Sequence, residues 1–197
     1  MNSVTQAEQG HEEQEGETRR DFIHLLAVAT TAFAGVGVVL PAVTQMNPDA
    51  SVRALATKTV DLAAVEVGQA IKIMWQGKPV FIRRRTEAEI AEASATPVNV
   101  LPDQLSRNDN LSGSQEATDA NRATTAEWMV VLGVCTHLGC VPLGTDDGDN
   151  RGDFNGWFCP CHGSHYDIAG RIRKGPAPEN LAVPPYEFVS DTTLRIG

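Results

Sequence analysis

Positive charge is in short supply in this chain. Its 197 residues carry 16 Lys and Arg against 25 Asp and Glu, a net charge of −9. With a pI near 5.0 there is no electrostatic footprint for nucleic acid. No internal repeat, nucleotide fingerprint, activated nucleophile or pair of acid–base carboxylates is visible, so nothing marks the chain alone as a self-contained enzyme. Cysteine is limited to four residues, all of them in two short runs. Only one stretch is apolar for as long as a membrane is thick.

Glu8, Glu12, Glu13, Glu15 and Glu17 supply more than half of the net charge. Residues 1–17 are polar, acidic and free of aromatics, the composition of a disordered tail. From Thr44 onward, 14 basic and 19 acidic side chains leave a mild −5, an ordinary soluble surface.

The 22 residues from Phe22 to Val43 contain no Asp, Glu, Lys or Arg, and their polar members are His24, Thr30 and Thr31. A helix of about 20 residues spans a hydrocarbon core of roughly 30 Å. Arg19 and Arg20 stand immediately before it, which sets the N-terminus on the cytoplasmic side. Thr18-Arg19-Arg20-Asp21-Phe22 also reads as a twin-arginine export signal, so residues 18–43 are expected to be a signal and transmembrane anchor. Ala54-Leu55-Ala56 fits a signal-peptidase pattern, but it lies 11 residues beyond Val43, farther than such sites normally fall. Residues 44–57 are rich in small side chains and are expected to be a flexible hinge. About ten residues measure near 15 Å as helix and roughly 33 Å extended.

From residue 58 the pattern turns to strands: Val60-Asp61-Leu62, Ala70 to Trp75 and Val80-Phe81-Ile82, with Gln76-Gly77-Lys78-Pro79 as a hairpin turn. Thr86-Glu87-Ala88-Glu89 is a capping box opening a short helix to about Ser94. Residues 96–126 are polar and turn-rich, which predicts small helical pieces at the surface. Arg83-Arg84-Arg85 is expected to be the solvated end of a strand. Glu127 to Val134 is an apolar buried strand, and Trp157-Phe158 begins another. Ile168 to Ile172, Tyr186 to Val189 and Thr193 to Ile196 complete an all-β domain over residues 58–197, with a lobe at about 127–180 inserted in it.

That lobe holds the chemistry. Cys135-Thr136-His137-Leu138-Gly139-Cys140 and Cys159-Pro160-Cys161-His162-Gly163-Ser164-His165-Tyr166 contain all four cysteines and three of the five histidines. As ligand spacing they read C-x-H, 21 intervening residues, then C-x-x-H. Two Cys and two His can hold a Rieske-type 2Fe–2S group or a Cys₂His₂ zinc ion. Zinc patterns usually pair like with like at short spacing, whereas each run here gives one Cys, one His and a spare Cys. Asp147 to Phe158 fails as a calcium loop, because Arg151 and Phe158 stand at its fifth and twelfth positions.

Both runs resemble the two cluster-binding boxes of the Rieske iron–sulfur subunit of cytochrome bc complexes. Thr18-Arg19-Arg20-Asp21-Phe22, Gln45-Met46-Asn47-Pro48, Lys78 to Arg85 and Gly170 to Pro178 resemble its proteobacterial form, so the likeness runs from about residue 18 to the C-terminus. The resemblance implies a Rieske-type antiparallel β sandwich of three sheets, one N-terminal transmembrane helix retained as anchor, and one 2Fe–2S cluster. It implies Cys135 and Cys159 on the inner iron, His137 and His162 on the outer iron near solvent, and a disulfide between Cys140 and Cys161. Ser164 and Tyr166 stand where hydroxyl donors to a bridging sulfide and a cysteine sulfur would raise the potential. Leu138 would be a lid, Gly175-Pro176-Ala177-Pro178 a loop covering the cluster, and His165 is out of ligand register. In such a subunit His162 and His137 handle quinol protons, and the cluster passes electrons from membrane quinol, in a pocket of the b-type cytochrome, to a c-type cytochrome. The setting would be a dimeric complex in the lipid of a bacterial inner membrane, with the N-terminus cytoplasmic and the cluster domain periplasmic. The alternatives are the small Rieske subunit of a periplasmic molybdenum oxidase, such as arsenite oxidase, and a structural zinc module.

Overall fold

The computed structural model describes residues 18–47 and 56–197. The expected acidic tail at 1–17 and most of the expected hinge at 44–57 lie outside the described residues. The chain divides into two units, Met1–Asp49 and Ala50–Gly197.

The first unit contains helix α1, Arg19–Thr44, capped by Thr18 and Asp21, each of which bonds the other's backbone N–H. Twenty-six residues reach about 39 Å. Among the described residues it is the one helix long and apolar enough to cross a membrane, by length and composition.

The second unit is built from three three-stranded antiparallel sheets. In the first, β1 (Lys58–Asp61) lies beside β9 (Thr193–Ile196), which pairs with β8 (Tyr186–Ser190). The second holds β2 (Ala70–Trp75), β3 (Lys78–Arg84) and β4 (Trp128–Leu132) in that order. Gln76 and Gly77 have φ of +48° and +75° and Trp75 pairs with Lys78, the geometry of a two-residue hairpin with both turn residues left-handed. The third sheet is β5 (Asn155–Cys159), β6 (Ser164–Asp167) and β7 (Ile172–Lys174). Helix α2, Glu87–Ala95, opens with the Thr86/Glu89 capping box, and α3 is the short Asp119–Arg122.

Strand β3 is central, and Val80, Phe81 and Ile82 are fully buried in it. The Phe81 ring stacks on Trp157 of β5 at 6.3 Å, joining the second sheet to the third. Gly133, just after β4, lies flat on that ring: a Cβ there would come within 2.4 Å of it. This close approach fixes where the chain leaves β4 and enters the Cys135 loop.

Three expectations are corrected. Arg83 and Arg85 are not solvated; both are buried, because β3 is covered on both faces. Arg83 forms a forked pair with Glu89 at 2.7 and 3.2 Å, and Arg85 one with Asp119 at 2.5 and 3.2 Å. Residues 96–126 do contain a 3₁₀ turn and α3, but they are not a surface appendage. Leu101, Asp103, Ala117 and Arg122 are buried, and the Arg122 guanidinium donates to the carbonyls of Ser106, Ala169, Gly170 and Leu181. Burial pulls its pKa down to about 10, so it is still charged at neutral pH. Residues 168–171 are a turn, not a strand. The Asp167 carboxylate accepts from the N–H groups of Ala169 and Arg171, and Gly170 has φ +71°.

Candidate metal centre

Each Cys/His run is a closed loop. In the first, Cys135 N–H donates to the Cys140 carbonyl at 2.8 Å, and Gly139, at φ +83°, donates to the Cys135 carbonyl. The second is the tip of the β5–β6 hairpin: Cys159 pairs with Ser164, and Gly163 N–H donates to the Cys159 carbonyl at 3.0 Å. Two reciprocal bonds between Leu143 and Phe158, at 2.7 and 3.0 Å, bring the loops side by side. Cys140 and Cys161 are bonded across them with Cα atoms 6.8 Å apart, within the span a disulfide tolerates.

Cys135 and Cys159 are both buried and free. The imidazoles of His137 and His162 meet edge-to-face with centroids 4.6 Å apart; His162 is exposed and His137 half-buried. His137 Nδ1 is buried without a hydrogen-bond partner. A buried nitrogen left unpaired is costly, and donation of its lone pair to a metal removes that cost. Two buried free thiols and two adjacent imidazoles, carried on loops that lie side by side, therefore fit a 2Fe–2S group of mixed ligation. Among the described residues the group of three metal-capable side chains gathered within 4.8 Å is instead Cys140, Cys159 and Cys161. Two of these sulfurs are bonded to each other, so that trio is not a thiolate site.

Burial by itself would push the Cys135 thiol up. Bonds from the Tyr166 hydroxyl, at 3.3 Å, and from backbone N–H outweigh it and hold Cys135 below the ordinary thiol range. Cys159 is raised, by burial and by the neighbouring Cys135. Burial also raises Tyr166, so its phenol keeps the proton it offers to sulfur. That phenol oxygen accepts Thr136 N–H at 3.3 Å. Thr136 Oγ, 3.4 Å away, already donates to the Glu179 carbonyl and accepts Glu179 N–H, which favours Cys135 Sγ as the acceptor of the phenol proton. Ser164 is buried, and its Oγ accepts Ala177 N–H at 3.2 Å, leaving its proton for the sulfur side. Gly175 permits this: a Cβ would lie 2.4 Å from the Gly163 carbonyl oxygen.

Leu138 is 71 % exposed at the first loop's outer edge. His165 packs on Phe158 and accepts Asp153 N–H at 3.0 Å, away from the four candidate ligands. The sequence reading missed Thr136, whose hydroxyl donates to the Glu179 carbonyl at 2.7 Å and accepts Glu179 N–H. It ties the first loop to the segment after the Gly175–Pro178 turn. Its place between two ligand candidates was the available signal.

Residues 67–186 match the family model described as the Rieske [2Fe-2S] domain. The chain is 52% identical over 194 residues to the ubiquinol–cytochrome c reductase iron–sulfur subunit of Rhodobacter capsulatus, covering 95% of this chain and 99% of that protein. The chain belongs to the Rieske iron–sulfur subunits of ubiquinol–cytochrome c reductase. Its counterpart in Rhodospirillum rubrum is 54% identical over 183 residues, 91% of this chain and 92% of that one. Residues 9–49 match the model described as Ubiquitinol-cytochrome C reductase Fe-S subunit TAT signal, so the family likeness begins at residue 9 and not at about 18. A Rieske subunit carries one 2Fe–2S cluster, which sets aside the zinc module. Relatives named as the reductase subunit at this identity and coverage disfavour the molybdenum-oxidase alternative.

Proposed function

We propose that this Rieske chain carries electrons and protons from membrane quinol to a c-type cytochrome, working beside a b-type cytochrome that holds the quinol pocket. On this reading α1 anchors the chain in a bacterial inner membrane with its N-terminus cytoplasmic and the cluster domain periplasmic. Cys135 and Cys159, with His137 and His162, would hold the 2Fe–2S group. The bound 2Fe–2S group supplies a one-electron couple, raised above that of an all-Cys cluster because neutral imidazoles replace two thiolates.

The residues around it do the rest. If one ring nitrogen of exposed His162 held the metal, the other, facing solvent, would accept the hydrogen bond and then the proton of a quinol hydroxyl. Cys135, Cys159, Ser164 and Tyr166 are buried, so water is kept from the sulfur side while the imidazole edge meets substrate. Tyr166 and Ser164 donate toward sulfur and favour the more negative, reduced state. The observation that carries the reading is a pair of imidazoles in contact, with His137 Nδ1 unpartnered, on the same two loops as two buried free thiols.

We further propose that residues 44–57 are the hinge on which the head alternates between quinol and cytochrome positions. The Ala56 carbonyl accepts the Trp75 indole N–H at 2.6 Å, which ties the end of this segment to β2. Proline at both Ala50 and Ala54 removes backbone donors and stiffens the segment. In the assembled complex this double variant should keep a normal cluster spectrum while quinol-to-cytochrome c turnover falls sharply. Unchanged turnover would show that the head works from one fixed position.

A further inference from the structure

The three sulfurs of Cys140, Cys159 and Cys161 lie within 4.8 Å of one another, and two of them already form a disulfide. The third belongs to a residue that the proposed ligand set commits to iron, on which this inference rests. We infer that the trio is a thiol–disulfide exchange site that loss of the cluster switches on. The freed Cys159 thiolate attacks Sγ of Cys140, forms a Cys140–Cys159 disulfide and expels Cys161 as a thiolate. One S–S bond forms as one breaks, so no oxidant or reductant is consumed; exchange proceeds through such a direct displacement.

The choice of sulfur follows from the surroundings. Attack on Cys161 would close a ring across Pro160 alone, whose φ is fixed. Attack on Cys140 instead joins two facing loops that are already cross-linked, and it releases Cys161, which is exposed, into water. Cys135 is equally buried and equally freed, yet its sulfur lies outside the trio and is bonded to Tyr166. The product removes one ligand, so a chain that has lost its cluster cannot take another until a dithiol reductant reopens the bond. By the same geometry, a chain whose disulfide closes before the cluster is loaded is open to the same trap.

The test uses the full-length holoprotein in detergent. Iodoacetamide labelling of the intact holoprotein, followed by non-reducing peptide mapping, should show Cys140 linked to Cys161 and neither Cys135 nor Cys159 labelled. Label on Cys159 at this stage would refute its role as ligand, and the inference with it. A second sample is stripped of iron by a chelator without oxygen, held at about pH 9.5, above the ordinary thiol value of about 8.5, quenched to about pH 6.5 with excess N-ethylmaleimide, and then mapped. We expect loss of the Cys140–Cys161 peptide pair, appearance of Cys140–Cys159, and new label on Cys161 and Cys135. Persistence of Cys140–Cys161 with Cys159 labelled would overturn the inference. So would new links to Cys135 as abundant as those to Cys159, the pattern of random exchange in an unfolded chain.

Discussion

Replacing Tyr166 with Phe deletes one hydroxyl and leaves every candidate ligand in place. The lost contact is the 3.3 Å bond to Cys135 Sγ; the same oxygen also accepts Thr136 N–H. A hydrogen bond of this kind has a net value of about 0.5–1.5 kcal/mol, and the ring is fully buried, so water does not replace the hydroxyl. The bond strengthens as negative charge on sulfur grows, so the reduced cluster loses more than the oxidised one. If about 1 kcal/mol is felt only by the reduced state, the potential falls by roughly 40 mV, at about 59 mV per tenfold change in a one-electron equilibrium. Thr136 N–H also loses its acceptor, which destabilises the fold modestly without touching the ligands. Protein-film voltammetry on the wild-type and Tyr166→Phe chains, each checked for full cluster content, measures the shift. A potential unchanged within a few millivolts, or a rise, would refute the argument and return Tyr166 to a packing role.

Two further outcomes follow from the buried charges. Asp119→Ala leaves the fully buried Arg85 guanidinium without its carboxylate, and losing one partner of such a pair costs about 3–5 kcal/mol; a urea midpoint close to wild type would contradict this. Burial alone would raise the Glu89 pKa, but bonds from Arg83, Arg151 and the Thr86 N–H hold it below its ordinary value. Its stabilisation is therefore complete above about pH 4.5, the unfolded value, and is lost as pH falls through the lower folded one. Glu89→Gln should flatten that part of the acid unfolding curve, and an unaltered curve would count against the Arg83–Glu89–Arg151 network.

What was legible in the sequence was whatever is local. The charge-free run from Phe22 to Val43 gave the long helix, the Thr86/Glu89 box marked the start of α2, and Gln76-Gly77 marked the hairpin. The two Cys/His runs announced the metal chemistry because four candidate ligands fall within two short windows. What stayed hidden depends on partners far along the chain. Arg83-Arg84-Arg85 looks solvated because Asp119, 34 residues after Arg85, is not readable as its counter-ion. Residues 96–126 look like surface because their burial is won through Arg122, whose acceptors lie as far away as Leu181. The turn at 168–171 looked like strand because its apolar residues outvoted one carboxylate, that of Asp167, which bends the backbone. The roles of Gly133 and Gly175 depend on what approaches them, a ring in one case and a backbone in the other.

The central claim is that Cys135, Cys159, His137 and His162 hold the cluster, with both imidazoles on iron. Pulsed electron paramagnetic resonance of the reduced holoprotein, labelled with ¹⁵N-histidine, reads this directly. The account predicts two strongly coupled imidazole nitrogens, and no assembled cluster of this kind in a His162→Ala chain. One coupled nitrogen, none, or a normal two-nitrogen spectrum surviving His162→Ala would contradict it.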